Sequence, residues 1–175
     1  MRTIDYQPMI WLSWRKKKMR VSLNYNGRTR QPSLSDLMPL TDNSDPLYIT
    51  RGNPDLKQMF MHTMHVSFQH PSKGISANLG WQMEKNSVTQ VVLYDVQTGG
   101  REIYPINING NWNTYGSADW WKRFGHFSLK LSTSGRHSNR VSMINEDRSQ
   151  QPEKSTTRDT GLNCEMAASY QPTWG

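Results

Sequence analysis

The sequence predicts an α+β, β-rich fold: a single compact core of mostly antiparallel strands, one or two short helices, a basic N-terminal arm and a polar C-terminal tail. Three observations predict it. Apolar and polar residues alternate with period two in the middle of the chain. The longest run is Ile75, Ala77, Leu79, Trp81 and Met83 against Ser76, Asn78, Gly80 and Gln82, the pattern of a strand with one face shielded from water. One stretch, residues 117–125, carries helix-end signals instead. And the net charge sits at one end: residues 1–30 hold eight Lys/Arg against the single acid Asp5, while residues 31–175 hold thirteen of each sign.

In chain order, residues 1–30 read as the basic arm. Trp11 and Trp14 precede Arg15-Lys16-Lys17-Lys18-Met19-Arg20, and Arg28 and Arg30 follow. Within the arm, Val21, Leu23 and Tyr25 alternate with Ser22 and Asn24 as a short strand, and Asn26-Gly27 supplies the residues of a tight hairpin turn. Residues 31–56, with Pro32, Pro39, Pro46 and Pro54, form a connecting segment in which prolines forbid long regular elements. There Asn53-Pro54-Asp55 reads as a helix N-cap followed by Pro in the first turn.

Residues 57–145 form the β-rich core. Phe60, Met64, Val66 and Phe68 share a strand face with His62 among them. Residues 88–96 are rich in β-branched side chains, Thr98-Gly99-Gly100 turns the chain, and residues 103–108 return, with Pro105 marking an edge or bulge. In residues 117–125, Ser117 suits a cap, Asp119 the first turn, Lys122 and Arg123 the last, and Gly125 the position just past a helix. On such a helix only one of Trp120 and Trp121 faces the core squarely. Phe127, Leu129 and Leu131 alternate as a strand, residues 132–139 form a loop, and Val141-Ser142-Met143 a further short strand. Residues 146–175 form a flexible polar tail: residues 145–158 carry no large apolar side chain and cannot bury surface, whereas Leu162, Met166, Tyr170 and Trp174 give the end of the tail something to dock with.

Composition excludes more than it selects. Mean hydropathy is −0.81, with ten Met and seven Trp. No apolar run reaches the ~20 residues of a transmembrane helix. The run ending at Trp14 precedes its charges, the reverse of a signal peptide. The single Cys164 forms no intramolecular disulfide, which points to a reducing compartment. His62, His65 and His70 lack metal-ligand spacing on a strand, since residues three apart point to opposite faces. No phosphate loop, nucleophile elbow or carboxylate pair is present, so the sequence reads as non-enzymatic, without metal or cofactor.

The basic segment is the one positive signal. Trp11, Trp14, Arg15, Lys16, Lys17, Lys18, Arg20, Arg28 and Arg30 form a candidate contact for an anionic membrane or a nucleic acid, because Lys/Arg neutralise phosphate and Trp sits at headgroup depth or stacks on bases. Trp120, Trp121, Tyr170 and Trp174 are candidate self-assembly contacts.

In layout the chain resembles rhabdovirus matrix proteins, particularly the small ones of plant rhabdoviruses. The basic arm is followed by Phe60-Met61-His62-Thr63-Met64-His65-Val66-Ser67-Phe68 as a first core strand, and later by Gly125-His126-Phe127-Ser128-Leu129-Lys130-Leu131-Ser132 as a late one, over roughly residues 57–145. The resemblance implies a viral structural protein of the virion and host cytoplasm, peripherally membrane-associated. It would form a homo-oligomeric lattice and bind viral nucleoprotein–RNA, the anionic membrane and an envelope glycoprotein tail. Pro-Pro-x-Tyr and Pro-Thr/Ser-Ala-Pro budding motifs are missing, a departure from the animal-virus members. Two other readings share the layout: a capsid or coat protein whose basic arm holds the genome, and a glycan-binding β-sandwich with Trp81, Trp112 and Trp120 as platforms.

Overall fold

A computed structural model describes residues 5–95, 97–144 and 152–172 of the chain. Strand occupies 74 % and helix 4 % of it, so the expected α+β class is corrected to an almost wholly β fold. The strands are β1 (Met9–Lys16), β2 (Met19–Arg30), β3 (Thr41–Asp45), β4 (Tyr48–Arg51), β5 (Met59–His70), β6 (Ile75–Lys85), β7 (Ser87–Tyr94), β8 (Arg101–Ile108), β9 (Asn111–Phe124), β10 (Phe127–Ile144) and β11 (Glu153–Tyr170). A one-turn helix α1 (Leu34–Leu37), capped by the Ser33 hydroxyl, and a 3-10 turn at Pro71–Lys73 are the helical elements among the described residues.

Two sheets result. The larger has seven strands in the order β1-β2-β5-β6-β9-β10-β11, every neighbour antiparallel. The smaller has the order β3-β4-β8-β7, in which β4 and β8 run parallel. It is built from the two long connections that leave the large sheet after β2 and after β6.

The connections of the large sheet differ by end. At one end the turns are short: Lys17-Lys18 between β1 and β2, four residues around the 3-10 turn between β5 and β6, and Gly125-His126 between β9 and β10. Lys17, Gly74 and Gly125 take left-handed backbone there, φ 52°, 64° and 61°. At Gly74 a side chain would collide with the Trp121 carbonyl, so that turn requires glycine. At the other end lie the excursions 31–58 and 86–110 and the β10–β11 connection.

Several elements differ from expectation. Residues 117–125 are not helical but form the last stretch of β9 and its turn. The capping signals are real for an isolated segment, but thirteen consecutive cross-strand pairs with β10 outweigh them. Asn26-Gly27 makes no turn: it lies inside β2 opposite Thr63 and His62. Asn53 caps no helix. Its side chain accepts the Asp55 N–H at 3.0 Å and donates to the Pro105 carbonyl at 3.0 Å, an Asx turn pinning the connection to β8. Pro105 is tolerated because β4 pairs only with Arg101–Ile103 of that strand. The expected loop 132–139 is continuous β10. Of the expected open segment, residues 145–151 lie outside the described residues and Glu153–Arg158 are strand. Nor do residues 9–30 stand apart as an arm: β1 and β2 form a hairpin whose second strand pairs with β5 over eleven positions.

No compact apolar core accompanies the large sheet. The buried apolar side chains among the described residues are Leu56, Val91, Ile108 and Val141, all at the long-connection end, where β7 packs on β10.

Candidate functional site

Register places the side chains of the large sheet unambiguously, because directly paired residues in neighbouring strands share a face. One row runs Leu12, Leu23, Val66, Leu79, Gly116, Gly135 and Leu162; the next toward the short turns runs Trp14, Val21, Phe68, Ala77, Ala118, Thr133 and Cys164. Shifted by one residue, the opposite face reads Ser13, Ser22, Ser67, Asn78, Ser117, Ser134 and Asn163. The two faces are thus chemically opposite across all seven strands.

The apolar face is uncovered. Leu12 is 58 % exposed, Leu79 49 % and Leu162 78 %, and Trp14, Phe124, Phe127, Leu131, Met166 and Tyr170 are exposed beside them. A soluble monomer rarely shows a contiguous apolar patch above a few hundred Å², so water is not the medium this face is built for.

Aromatic residues border that face at two levels. Trp14, Phe68, Trp120, Phe124, Phe127 and Tyr170 lie near the short turns; Tyr25, Phe60, Trp81 and Trp112 lie toward the long connections. Phe60 and Phe68 on β5, like Trp112 and Trp120 on β9, are eight residues apart. That is about 27 Å along a strand at ~3.4 Å per residue. At a strand tilt of ~40° it projects to about 21 Å, close to the ~25 Å apolar band of a membrane barrel with its two aromatic girdles. Polar groups on this face find partners: Tyr25 Oη lies 2.9 Å from His62 Nδ1, and His137 Nδ1 2.7 Å from Thr160 Oγ1. Phe60 covers Gly27.

The polar face is knitted by short side chains. Ser22 and Ser67 hydroxyls lie 2.6 Å apart, as do those of Ser128 and Ser169, and Ser132 donates to Asp119 at 2.8 Å. Tyr115 lies flat over Gly80, where a Cβ would meet the ring at 2.2 Å.

This arrangement combines dyad alternation, an uncovered apolar face with two aromatic borders, short turns at one end and long connections at the other. The model of one protein family, described as an outer membrane protein beta-barrel family, matches residues 4–172. The chain belongs to the outer membrane protein beta-barrel family. No curated protein and no solved structure matches the chain. Family membership overturns the rhabdovirus resemblance and, with it, the matrix and coat functions and the nucleocapsid role. The location expected in virion and cytoplasm is corrected to the bacterial outer membrane. No helix among the described residues is long and apolar enough to cross a membrane; in this family strands do the crossing, and one of ~9–11 residues suffices.

The sequence-predicted residues disperse over this barrel-family sheet. Arg15, Lys16, Lys17, Lys18 and Arg20 gather at the β1–β2 turn, with Trp14 beside them on the apolar face. Trp11 lies on the polar face opposite Asn24, and Arg28 and Arg30 lie on the polar face at the far end. Trp120 and Tyr170 belong to the aromatic border, and Trp121 points to the polar face opposite Lys130, since adjacent residues of a strand diverge. Trp174 lies outside the described residues. His62 and His65 occupy opposite faces. Sequence reasoning missed Leu12, Leu23, Leu131, Leu162 and Met166 as one surface; the alternation that marks them was legible, but its extension through β9 to β11 was not.

Proposed function

We propose that this chain forms membrane-embedded wall of an outer-membrane β-barrel, with the Leu79 face in lipid and the Asn78 face lining an aqueous lumen. The observation that supports it is the register-continuous segregation of apolar from polar side chains over seven strands, with Leu12, Leu79 and Leu162 in the middle of the apolar face exposed. A polar lumen wall suits the binding or passage of hydrophilic solutes.

Cys164 tests the reading, because it is the single thiol and sits on the apolar face opposite Thr133. In lipid vesicles, a charged, membrane-impermeant thiol reagent should leave Cys164 unlabelled. The same reagent should label the Asn163→Cys, Cys164→Ser chain. Equal labelling of both positions refutes the two-faced wall.

The basic turn has a place in this reading. Lys16, Lys17, Lys18 and Lys122 flank the aromatic border near the short turns, and Lys122 Nζ lies 4.8 Å from the centre of the Phe124 ring. Among the described residues the one ion pair is Arg51–Glu102, in the smaller sheet, so these cations are free to meet anionic phospholipid headgroups, at about 1 kcal/mol each. Replacing Arg15, Lys16, Lys17, Lys18 and Arg20 with Gln should abolish the preference for anionic over zwitterionic vesicles at low salt. Cosedimentation measures it, and an unchanged preference removes the turn from the lipid contact.

A further inference from the structure

One polar side chain of the large sheet is left over by the fold. Among the described residues, Asn113 Oδ1 is the buried side-chain polar atom without a hydrogen-bond partner. Two nearby asparagines are occupied. Asn111 Oδ1 accepts the Val141 N–H at 2.7 Å, and Asn139 Nδ2 donates to the Gly110 carbonyl at 2.7 Å. Those two fasten the start of β9 to β10; the Asn113 carbonyl oxygen fastens nothing. Buried polar groups are nearly always paired, so an unpaired one marks a place where something else completes the bond.

Register sets Gln82, Asn113 and Ser138 side by side in one row of the polar face, about 4.8 Å from strand to strand. The row lines a cavity of about 370 Å³ at the long-connection end, where β6 and β9 end their pairing at Glu84 and Asn111. That volume falls within the ~300–1,000 Å³ of small-molecule sites. Glu84, Arg140 and, from β7, Thr89 line it as well. Glu84 Oε2 accepts the Ser87 hydroxyl at 3.0 Å, and Arg140 makes no ion pair with any described residue. One row toward the short turns, on the same face, the exposed Tyr115 ring lies against Gly80, roughly 7 Å along the strand from Asn113.

These groups select a ligand by their charge and by what they donate and accept. An anion would satisfy Arg140 but turn acceptors toward the Asn113 and Glu84 oxygens. A cation would satisfy those oxygens but meet Arg140. A zwitterion would match the two charges and leave the hydroxyl groups and the aromatic ring unused. The uncharged groups between the charges, Gln82, Thr89 and Ser138, both donate and accept. A ligand whose every polar atom does the same fits all of them, and that is a set of hydroxyl groups. The Tyr115 ring adds an electron-rich face for the C–H groups of a sugar ring.

We propose that this cavity binds a small neutral saccharide, with hydroxyl groups held by Asn113, Gln82, Ser138 and Arg140 and one C–H face laid on Tyr115. The site rests on the reading of the Asn78 face as lumen wall and gives that lumen a solute class. It lies at the mouth with the long connections, which in bacterial barrels faces the cell exterior.

The test uses the 175-residue chain folded in lipid vesicles and saturation-transfer NMR with glucose, galactose, mannose, maltose, lactose and cellobiose as probes. At least one of these sugars should show transfer that protein-free vesicles do not give. Asn113→Leu should weaken its binding about tenfold, the loss of one buried hydrogen bond. Ser134→Ala, two rows away on the same face, should leave binding unchanged. Because Asn113 Oδ1 has no partner in the fold, Asn113→Leu should also resist urea at least as well as the native chain. Transfer from none of the sugars, transfer that survives Asn113→Leu undiminished, or competition by glycine or succinate as strong as by the sugars overturns the inference. So does a loss of urea resistance in Asn113→Leu, which would make Asn113 a structural residue. Labelling of Cys164 by the charged reagent in the same sample would instead overturn the wall reading, so the two failures are distinguishable.

Discussion

In the seven-stranded sheet Leu12 of β1, Leu79 of β6 and Leu162 of β11 stand exposed, whereas in the four-stranded sheet Val91 is 1 % exposed and Ile108 6 %. The same residue types and the same period-two pattern serve both, yet only the smaller sheet behaves as a water-soluble fold does. It buries aliphatic groups against β10, fastens its strands with the 2.5 Å Arg51–Glu102 ion pair, and lays Arg101 over the Tyr48 ring at 4.4 Å. Among the described residues no second layer covers the Leu12–Leu79–Leu162 row of the larger sheet. Period two specifies that a strand has two unlike faces; whether the apolar face meets other side chains or lipid is decided by what the rest of the chain offers as cover.

The largest expected effect breaks the large sheet by face. Leu79 lies mid-band on the central strand β6, so Leu79→Arg should destabilise the membrane-folded state by about 2–4 kcal/mol, the cost of a cation near the bilayer midplane. Asn78→Arg, one residue away on the polar face, should cost far less. Urea titration of folding into vesicles compares them, and equal costs would mean that the two faces see the same solvent. A smaller effect follows in the other sheet. Val91→Ala removes two buried methyl groups and should loosen the β7–β8 unit by roughly 1–3 kcal/mol. Protease cleavage within 86–110 should rise while the vesicle-folding midpoint of β5 and β6 stays put. A shift of both together would show that the sheets fold as one unit.

Much of the wall was legible in the sequence, but its meaning was not. The alternation in Phe60, Met64, Val66 and Phe68 and in Ile75 to Met83 gave β5 and β6 their faces. The strand Val21, Leu23, Tyr25 and the turn at Thr98-Gly99-Gly100 were also readable. Three things hid the rest. Ser117, Asp119, Lys122, Arg123 and Gly125 mimic helix ends, and local chemistry cannot show that β10 pairs along that whole segment. Thr133 and Gly135 dilute the apolar row on β10, so residues 132–139 read as loop. And a search for ~20 apolar residues in a row finds helical spans only, whereas a barrel strand hides half of its ten residues as polar. The basic cluster at Arg15 to Arg20 was visible as charge, but that it closes a hairpin at one end of a wall depends on pairing across forty residues of sequence.

The smallest effect sharpens the comparison through pH, because it touches only the connection that feeds the small sheet. The Thr98 hydroxyl donates to Asp95 Oδ2 at 2.7 Å and the Gln97 N–H donates to Oδ1 at 2.9 Å. Together, the hydroxyl first, they hold the Asp95 carboxyl below the ordinary carboxylate range. A carboxyl whose folded value is depressed favours the folded turn above its unfolded value, and that contribution is lost as pH falls through the depressed one. The turn from Asp95 to Gly100 also depends on Gly99, at φ 74°, and on the Asp95 N–H to Gly100 carbonyl bond of 2.9 Å, so it should fray rather than collapse. Pepsin, active in that acid window, should therefore cut beside Leu93 and Tyr94 faster as pH drops from about 4 toward about 2. The Asp95→Ala chain should be cut at a uniformly high rate. The lipid-facing strand β6, which carries no carboxylate on its apolar face, should keep its protection throughout. A wild-type rate that is flat over the same range, or identical to that of Asp95→Ala, would show that the carboxylate does not hold the turn.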